Sequence, residues 1–180
     1  MKKYIPVLKR TRLFAGVGEE EILAMLDCQQ AAEKRYKKGE YVLRQGEHIG
    51  DISILVEGRL SIQRDDYWGN RSIINIVEVG EMFGEAYASP DSGAVMNDVT
   101  AVEDSIVLFL NMKKILTTCP SACRFHSLVV QNLFFAISER NRKLMRKLLH
   151  MSKRTTREKL LSYLSDEAKR QGRSSFEIPF

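Results

Sequence analysis

Apolar residues in the first two thirds of the chain come in short runs separated by single glycines. Tyr41-Val42-Leu43-Arg44, Ser53-Ile54-Leu55-Val56, Leu60-Ser61-Ile62-Gln63 and Ser72-Ile73-Ile74-Asn75-Ile76-Val77 are rich in β-branched residues and partly alternating, so they read as strands. Gly39, Gly46, Gly58, Gly69, Gly80 and Gly84 punctuate this stretch and supply the positive-φ turns between strands. Strand, turn, strand at near-regular spacing predicts a small antiparallel sandwich or barrel, running from about Glu33 to Leu110. Ahead of it, Gly18 followed by Glu19, Glu20 and Glu21 opens a helix with acids in its first turn and Ile22, Leu23 and Leu26 on its apolar side.

The period then changes. Asn111–Leu116 reads as a short helical turn, and Thr118-Cys119-Pro120 restarts the chain with a proline suited to a first helical position. From there to Lys153 no glycine or further proline intervenes, which predicts one helix too long to stand without a partner. Val130, Phe134, Ile137, Asn141, Leu144, Leu148 and Met151 recur in alternating steps of four and three, the spacing of a coiled-coil seam. Asn141 falls within that seam, where a polar residue pairs with its symmetry mate and fixes a parallel two-stranded register. A second row, Leu128, Phe135, Met145 and Leu149, lies on another face and is expected to cover the strands. Packing of both rows within one monomer is the alternative, but one small barrel does not cover two faces of so long a helix. Thr155-Thr156-Arg157-Glu158 then reads as a capping box opening another helix, with Leu160, Leu161, Leu164 and Ala168 as its buried side and Gly172 past its end.

Charge divides the chain at the same place. Residues 1–118 carry 15 Lys and Arg against 18 Asp and Glu, whereas 119–180 carry 13 against 5. A basic C-terminal third is either a nucleic-acid-facing end or a solvated helix surface. The three cysteines, Cys28, Cys119 and Cys123, form no paired framework and no metal-spaced set, which fits a reducing cytoplasm. No apolar stretch long enough for a membrane span or a signal core is present, so a soluble cytoplasmic protein is expected.

The ordered set Lys38-Gly39-Glu40, Gln45-Gly46-Glu47, Val56-Glu57-Gly58-Arg59-Leu60-Ser61-Ile62, Trp68-Gly69-Asn70 and Val79-Gly80-Glu81-Met82-Phe83-Gly84-Glu85 resembles the cyclic-nucleotide-binding β-roll, with Leu13-Phe14-Ala15-Gly16-Val17 as its lead-in. The long helix, Thr155–Leu164 and the closing Phe176-Glu177-Ile178-Pro179-Phe180 resemble the Crp/Fnr transcription regulators in particular. The resemblance implies an α+β fold: an antiparallel β-roll (jelly-roll-like) sensor over 1–118, a long dimerisation helix over 119–153, and the start of a winged helix-turn-helix over 154–180, incomplete because the recognition helix lies beyond Phe180. It also implies a homodimer through the seam residues, and DNA and RNA polymerase as partners of the full-length protein.

In cyclic-AMP-binding members of that family, a Gly-Glu-(Leu/Ala) turn and a later Arg-Ser-Ala hold the ligand. The first half matches Gly84, Glu85 and Ala86, while Val95, Met96 and Asn97 stand where Arg, Ser and Ala are expected before Val99-Thr100-Ala101. Turn amides and a guanidinium suit an anion, but no basic residue occurs between Glu85 and Asp104. Two readings of Gly84 and Glu85 stay open. They are a structural turn, or part of a pocket for an unknown small effector that is less anionic than cyclic AMP. His48, His126 and His150 stand in no recognisable haem-ligand motif and read as surface or packing residues.

An enzyme needs a nucleophile, a base and an electrophile. No Gly-x-Ser-x-Gly and no metal-spaced His/Glu set occurs, and His48 is the sole histidine of the expected roll, which starves a cupin-like metal site of ligands. The reading is therefore a non-enzymatic regulator without a metal. The alternative is a cyclic-nucleotide-binding regulatory module of a signalling protein.

Overall fold

The computed structural model describes residues 1–89, 91–117, 124–173, 175, 176 and 178. Its contacts group the chain into two compact units, Met1–Phe135 and Ala136–Phe180.

In the first unit, a short 3-10 turn and helix α1 (Ile5–Leu8) precede α2 (Glu19–Cys28). Eight strands follow: β1 (Ala32–Tyr36), β2 (Tyr41–Leu43), β3 (Asp51–Glu57), β4 (Leu60–Asp65), β5 (Arg71–Val77), β6 (Met82–Phe83), β7 (Asp98–Ala101) and β8 (Ser105–Asn111). They form two four-stranded sheets in the orders β1-β8-β3-β6 and β2-β7-β4-β5, with every pairing antiparallel. This is the expected β-roll. The six glycines named above all have φ between 80° and 90°, as their turns require.

Two apolar clusters explain why β3 and β8 are near-continuous apolar runs. Leu55, Val107 and Phe109 point between the sheets, against Leu60, Val77, Phe83 and Val99. Ile52, Ile54, Ile106, Leu108 and Leu110 alternate with them and point to the other face, where Leu8, Phe14, Ile22 and Leu26 from the N-terminal helices cover them. A central strand covered on both faces cannot alternate apolar with polar.

Helix α3 (Met112–Leu116) begins at Asn111, whose side-chain oxygen accepts from the Lys114 amide at 3.0 Å. Helix α4 is described from Arg124 to Met151, and the expected restart at Thr118-Cys119-Pro120, with Cys119 and Cys123, lies outside the described residues. The α4 side chains that cover the first unit's core are Val129 (0 % exposed) and Leu133 (3 %), with Phe125, Leu128 and Val130 partly buried beside them. The expected row of Leu128, Phe135, Met145 and Leu149 is therefore corrected. Leu128 alone of the four joins that core, and the other three are exposed. A seven-residue step turns the helix by only about 20°, so Phe135 lies on nearly the same side as Leu128 yet is exposed two turns further along α4.

In the second unit, α5 (Thr156–Gln171) opens on the expected capping box, the Thr155 hydroxyl accepting from the Glu158 amide at 3.2 Å and the Glu158 carboxylate from the Thr155 amide at 3.0 Å. It closes at Gly172, φ 63°. Its expected buried side is also corrected. Leu160 and Leu161 are more than half exposed, and only Leu164 and Ala168 are half-buried, because α5 has few packing partners in this unit.

Candidate functional site

Phe83 is fully buried at the end of β6, and the chain turns at Gly84 with φ 80° into a 3-10 turn over Glu85–Tyr87. A Cβ at Gly84 would lie 3.2 Å from Ile49 Cδ1 and 3.6 Å from Leu43 Cδ1. The positive φ favours glycine here, and a Cβ would in addition press on the end of the Ile49 side chain. Glu85 is buried, 8 % exposed, and Ala86 is exposed.

Other Gly-Glu pairs show what the dipeptide does structurally. In Gly39-Glu40, Gly46-Glu47 and Gly80-Glu81 the glutamate reaches back to the amide three residues earlier: Glu40 to Lys37 at 2.7 Å, Glu47 to Arg44 at 3.0 Å, Glu81 to Glu78 at 3.0 Å. Gly-Glu in this chain is first of all a turn device. The buried Glu85 is set apart from those three by its exclusion from solvent.

Val95 occupies the position where the resemblance puts an arginine, and it is 3 % exposed. Its carbonyl accepts from the Gly46 amide and its amide donates to the Glu47 carbonyl, each at 2.8 Å. The connection from Arg44 to Gly50 thus touches both halves of the sequence-derived set, Val95 through Gly46 and Glu47, and Gly84 through Ile49. Asn97 is half-buried, whereas Met96 is 56 % exposed. Leu43 and Ile49 are the site residues that the sequence reading passed over, and only their apolar character beside Gly46 hinted at them.

The electrostatics match the sequence. From Glu85 to Asp104 the segment holds five acids and no base. Three roll arginines are held elsewhere, Arg35 by Glu33, Arg59 by Glu78 and Arg71 by Asp65, and Arg44 stacks over the Tyr41 ring at 4.4 Å. A phosphate at the Gly84 turn would meet backbone amides without a guanidinium from the 95–97 segment.

Along α4, Phe134, Ile137, Leu144, Leu148 and Met151 are 67, 40, 55, 61 and 58 % exposed, and Asn141 is exposed among them. Val130 alone of the seven packs partly against the first unit's core. His48 is exposed, His126 is buried with its Nε2 2.7 Å from the Ile115 carbonyl, and His150 contacts Ser162. Among the described residues, no group of three or more His, Cys, Asp and Glu is placed to hold a metal ion, and no helix is long and apolar enough to cross a membrane.

Comparison with known proteins agrees with the fold of the roll. The cyclic nucleotide-binding domain family matches residues 33–121. Human cGMP-dependent protein kinase 2 is 24 % identical over 111 residues, which are 61 % of this chain but 14 % of the kinase. The catabolite activator protein of Thermus thermophilus superposes with a TM-score of 0.64 at 24 % identity, covering 90 % of this chain and 72 % of that one. The sensor domain of the transcriptional regulator DNR from Pseudomonas aeruginosa gives a TM-score of 0.63 at 20 % identity, covering 86 % and 96 %. Residues 33–121 thus match the cyclic nucleotide-binding domain family, and the chain has the fold seen in these transcriptional regulators.

Proposed function

We propose that this chain is the effector-sensing and dimerisation part of a cytoplasmic, DNA-binding transcription regulator of the Crp/Fnr type, whose effector is not cyclic AMP. The observation that carries the reading is the pairing of an intact Gly84-Glu85 turn with a buried Val95 at the guanidinium position. A charge-assisted contact is worth about 1.5–3 kcal/mol, and none of the residues from Glu85 to Asp104 supplies one. The effector is a small molecule less anionic than a cyclic nucleotide, held by Gly84, Glu85, Ala86, Val95, Met96 and Asn97.

Dimerisation runs through Val130, Phe134, Ile137, Asn141, Leu144, Leu148 and Met151. Large apolar side chains so exposed on one helix are unfavourable for an isolated chain and suit burial against a second copy. DNA and RNA polymerase are the partners of the whole regulator, with α5 at the entry to its DNA-binding unit. The likeness to part of a cyclic-nucleotide-dependent kinase favours a second reading, a regulatory module of a signalling protein. Sedimentation velocity at micromolar concentration separates the two: the regulator reading expects a two-chain species, and a monomer throughout contradicts it.

A further inference from the structure

In the second unit, α4 and α5 each turn one face toward a shared cleft of about 570 Å³, within the size range of small-molecule sites. Helix α4 contributes Arg142, Met145, Arg146, Leu149 and His150, at the steps of three and four that put residues on one helical face, and Lys153 follows just beyond its end. Ser162, Ser165, Asp166 and Lys169 do the same on α5. Two chemistries meet there. Met145 and Leu149 are 54 and 62 % exposed, although neither belongs to the seam of α4. Beside them stand the cations Arg142, Arg146, Lys153 and Lys169 against a single carboxylate, Asp166, which lies 3.3 Å from Arg146 Nε. His150 Nε2 is 3.6 Å from the same Asp166 oxygen, and its Nδ1 is 2.9 Å from Ser162 Oγ. Arg142 and Lys169 are exposed and have no carboxylate partner among the described residues.

We infer that this cleft binds a single-chain amphiphilic carboxylate, of which a fatty acid is the simplest case. The head group meets the unpaired cations: the Arg142 guanidinium offers a planar fork that matches a carboxylate, and the Lys169 ammonium a compact charge. The tail covers Met145 and Leu149, and the unbranched Met145 adapts to a flexible chain. Neither half alone accounts for the lining. A small hydrophilic anion, or the backbone of a nucleic acid, would neutralise the cations and leave the apolar pair in water. A neutral lipid would cover that pair and leave the cations without a counter-charge. Asp166 is the one lining group that opposes an anion, and Arg146 offsets it. Large apolar side chains exposed between unpaired cations are therefore what a ligand with a charged head and an apolar tail requires.

The inference stands on the second unit alone and does not require the regulator reading. It is tested on the whole chain by methionine-methyl NMR, with dodecanoate below its micellar concentration as the probe and butyrate as the same head group with little tail. Met145 lies in the cleft and Met151 in the seam, so one spectrum compares the two exposed apolar surfaces. Dodecanoate is expected to shift the Met145 methyl saturably while Met151 stays in place, and butyrate to bind at least roughly tenfold more weakly, because each buried methylene adds to affinity. Arg142→Glu combined with Lys169→Glu is expected to weaken dodecanoate binding roughly three- to thirtyfold, and Leu149→Ser roughly fivefold. Equal shifts at Met145 and Met151 would mean general adsorption to apolar surface, equal affinity for butyrate a cationic face alone, and unchanged affinity in the charge-reversed variant an apolar groove alone. Each of these overturns the inference. So does an absence of any Met145 shift up to the micellar limit, or a Met145 shift that grows with protein concentration before ligand is added, which would seat a second copy in the cleft.

Discussion

The carbonyl of Val95 accepts a hydrogen bond from the amide of Gly46 at 2.8 Å, at a glycine whose φ is 90°. This bond, and its return from Val95 to Glu47, clasps the 95–97 segment to the connection that also packs Ile49 against Gly84. The position that departs from the cyclic-AMP-binding pattern is therefore an ordered part of the roll.

Glycines in this roll are not equally replaceable. Alanine at Gly46 meets nothing within 4 Å and keeps the amide that bonds Val95, so it costs only the left-handed backbone strain, about 1–2 kcal/mol. A Cβ at Gly58 would lie 2.3 Å from Ser105 Oγ and 2.5 Å from the Asp104 carbonyl, so strain and a backbone clash add. Urea unfolding is expected to rank Gly58→Ala as clearly more destabilising than Gly46→Ala, with unchanged m-values. Equal costs would show that the β3–β4 turn relaxes freely.

Asp66 organises the β4–β5 hairpin, accepting from the Trp68 amide at 2.9 Å and from the Asn70 amide and side chain at 2.8 and 3.0 Å. The Asn70 side chain foremost, with these amides, holds its carboxyl below the usual range. A carboxylate lowered on folding stabilises the fold above its unfolded pKa, and that contribution is lost as pH falls through the folded value. The Trp68 and Asn70 amide resonances are expected to titrate together, with a midpoint below that of an ordinary aspartate, and to lose this step in Asp66→Asn. A midpoint at the ordinary value would remove the hairpin role.

Charge placed in the α4 seam tests the dimer. Ile137 and Leu144 are 40 and 55 % exposed in the single chain, so replacing both by glutamate leaves its core intact. In a dimer each buries an apolar side chain worth about 1.5–3 kcal/mol. Sedimentation is expected to show dissociation of the double variant with unchanged circular dichroism. Loss of helix content instead would mean that these residues stabilise the single chain.

The roll was legible because its glycines and short β-branched runs encode turns and strands locally. The capping box at Thr155 and the stop at Gly172 were legible for the same reason: neighbours within four residues decide them. Long-range partnership was not. Nothing local shows that Tyr4, Ile5 and Leu8 are core residues, or that the Asn132 side chain bridges the Leu13 and Ala15 carbonyls at 3.0 and 2.8 Å. Which α4 stripe meets the roll depends on how the helix approaches, so Val129 and Leu133 were passed over for Phe135 and its row. At the site, the motif picked out Gly84 and Val95, and only the fold supplied Ile49 and the Gly46 clasp between them.

Calorimetry with cyclic AMP and cyclic GMP tests the central claim most directly. With Val95 buried where a guanidinium is needed, the phosphate is left to backbone amides, which weakens affinity by about one to two decades. The account predicts no low-micromolar binding of either nucleotide by the native chain, and a gain of binding in Val95→Arg combined with Met96→Ser. Low-micromolar binding by the native sequence would contradict it.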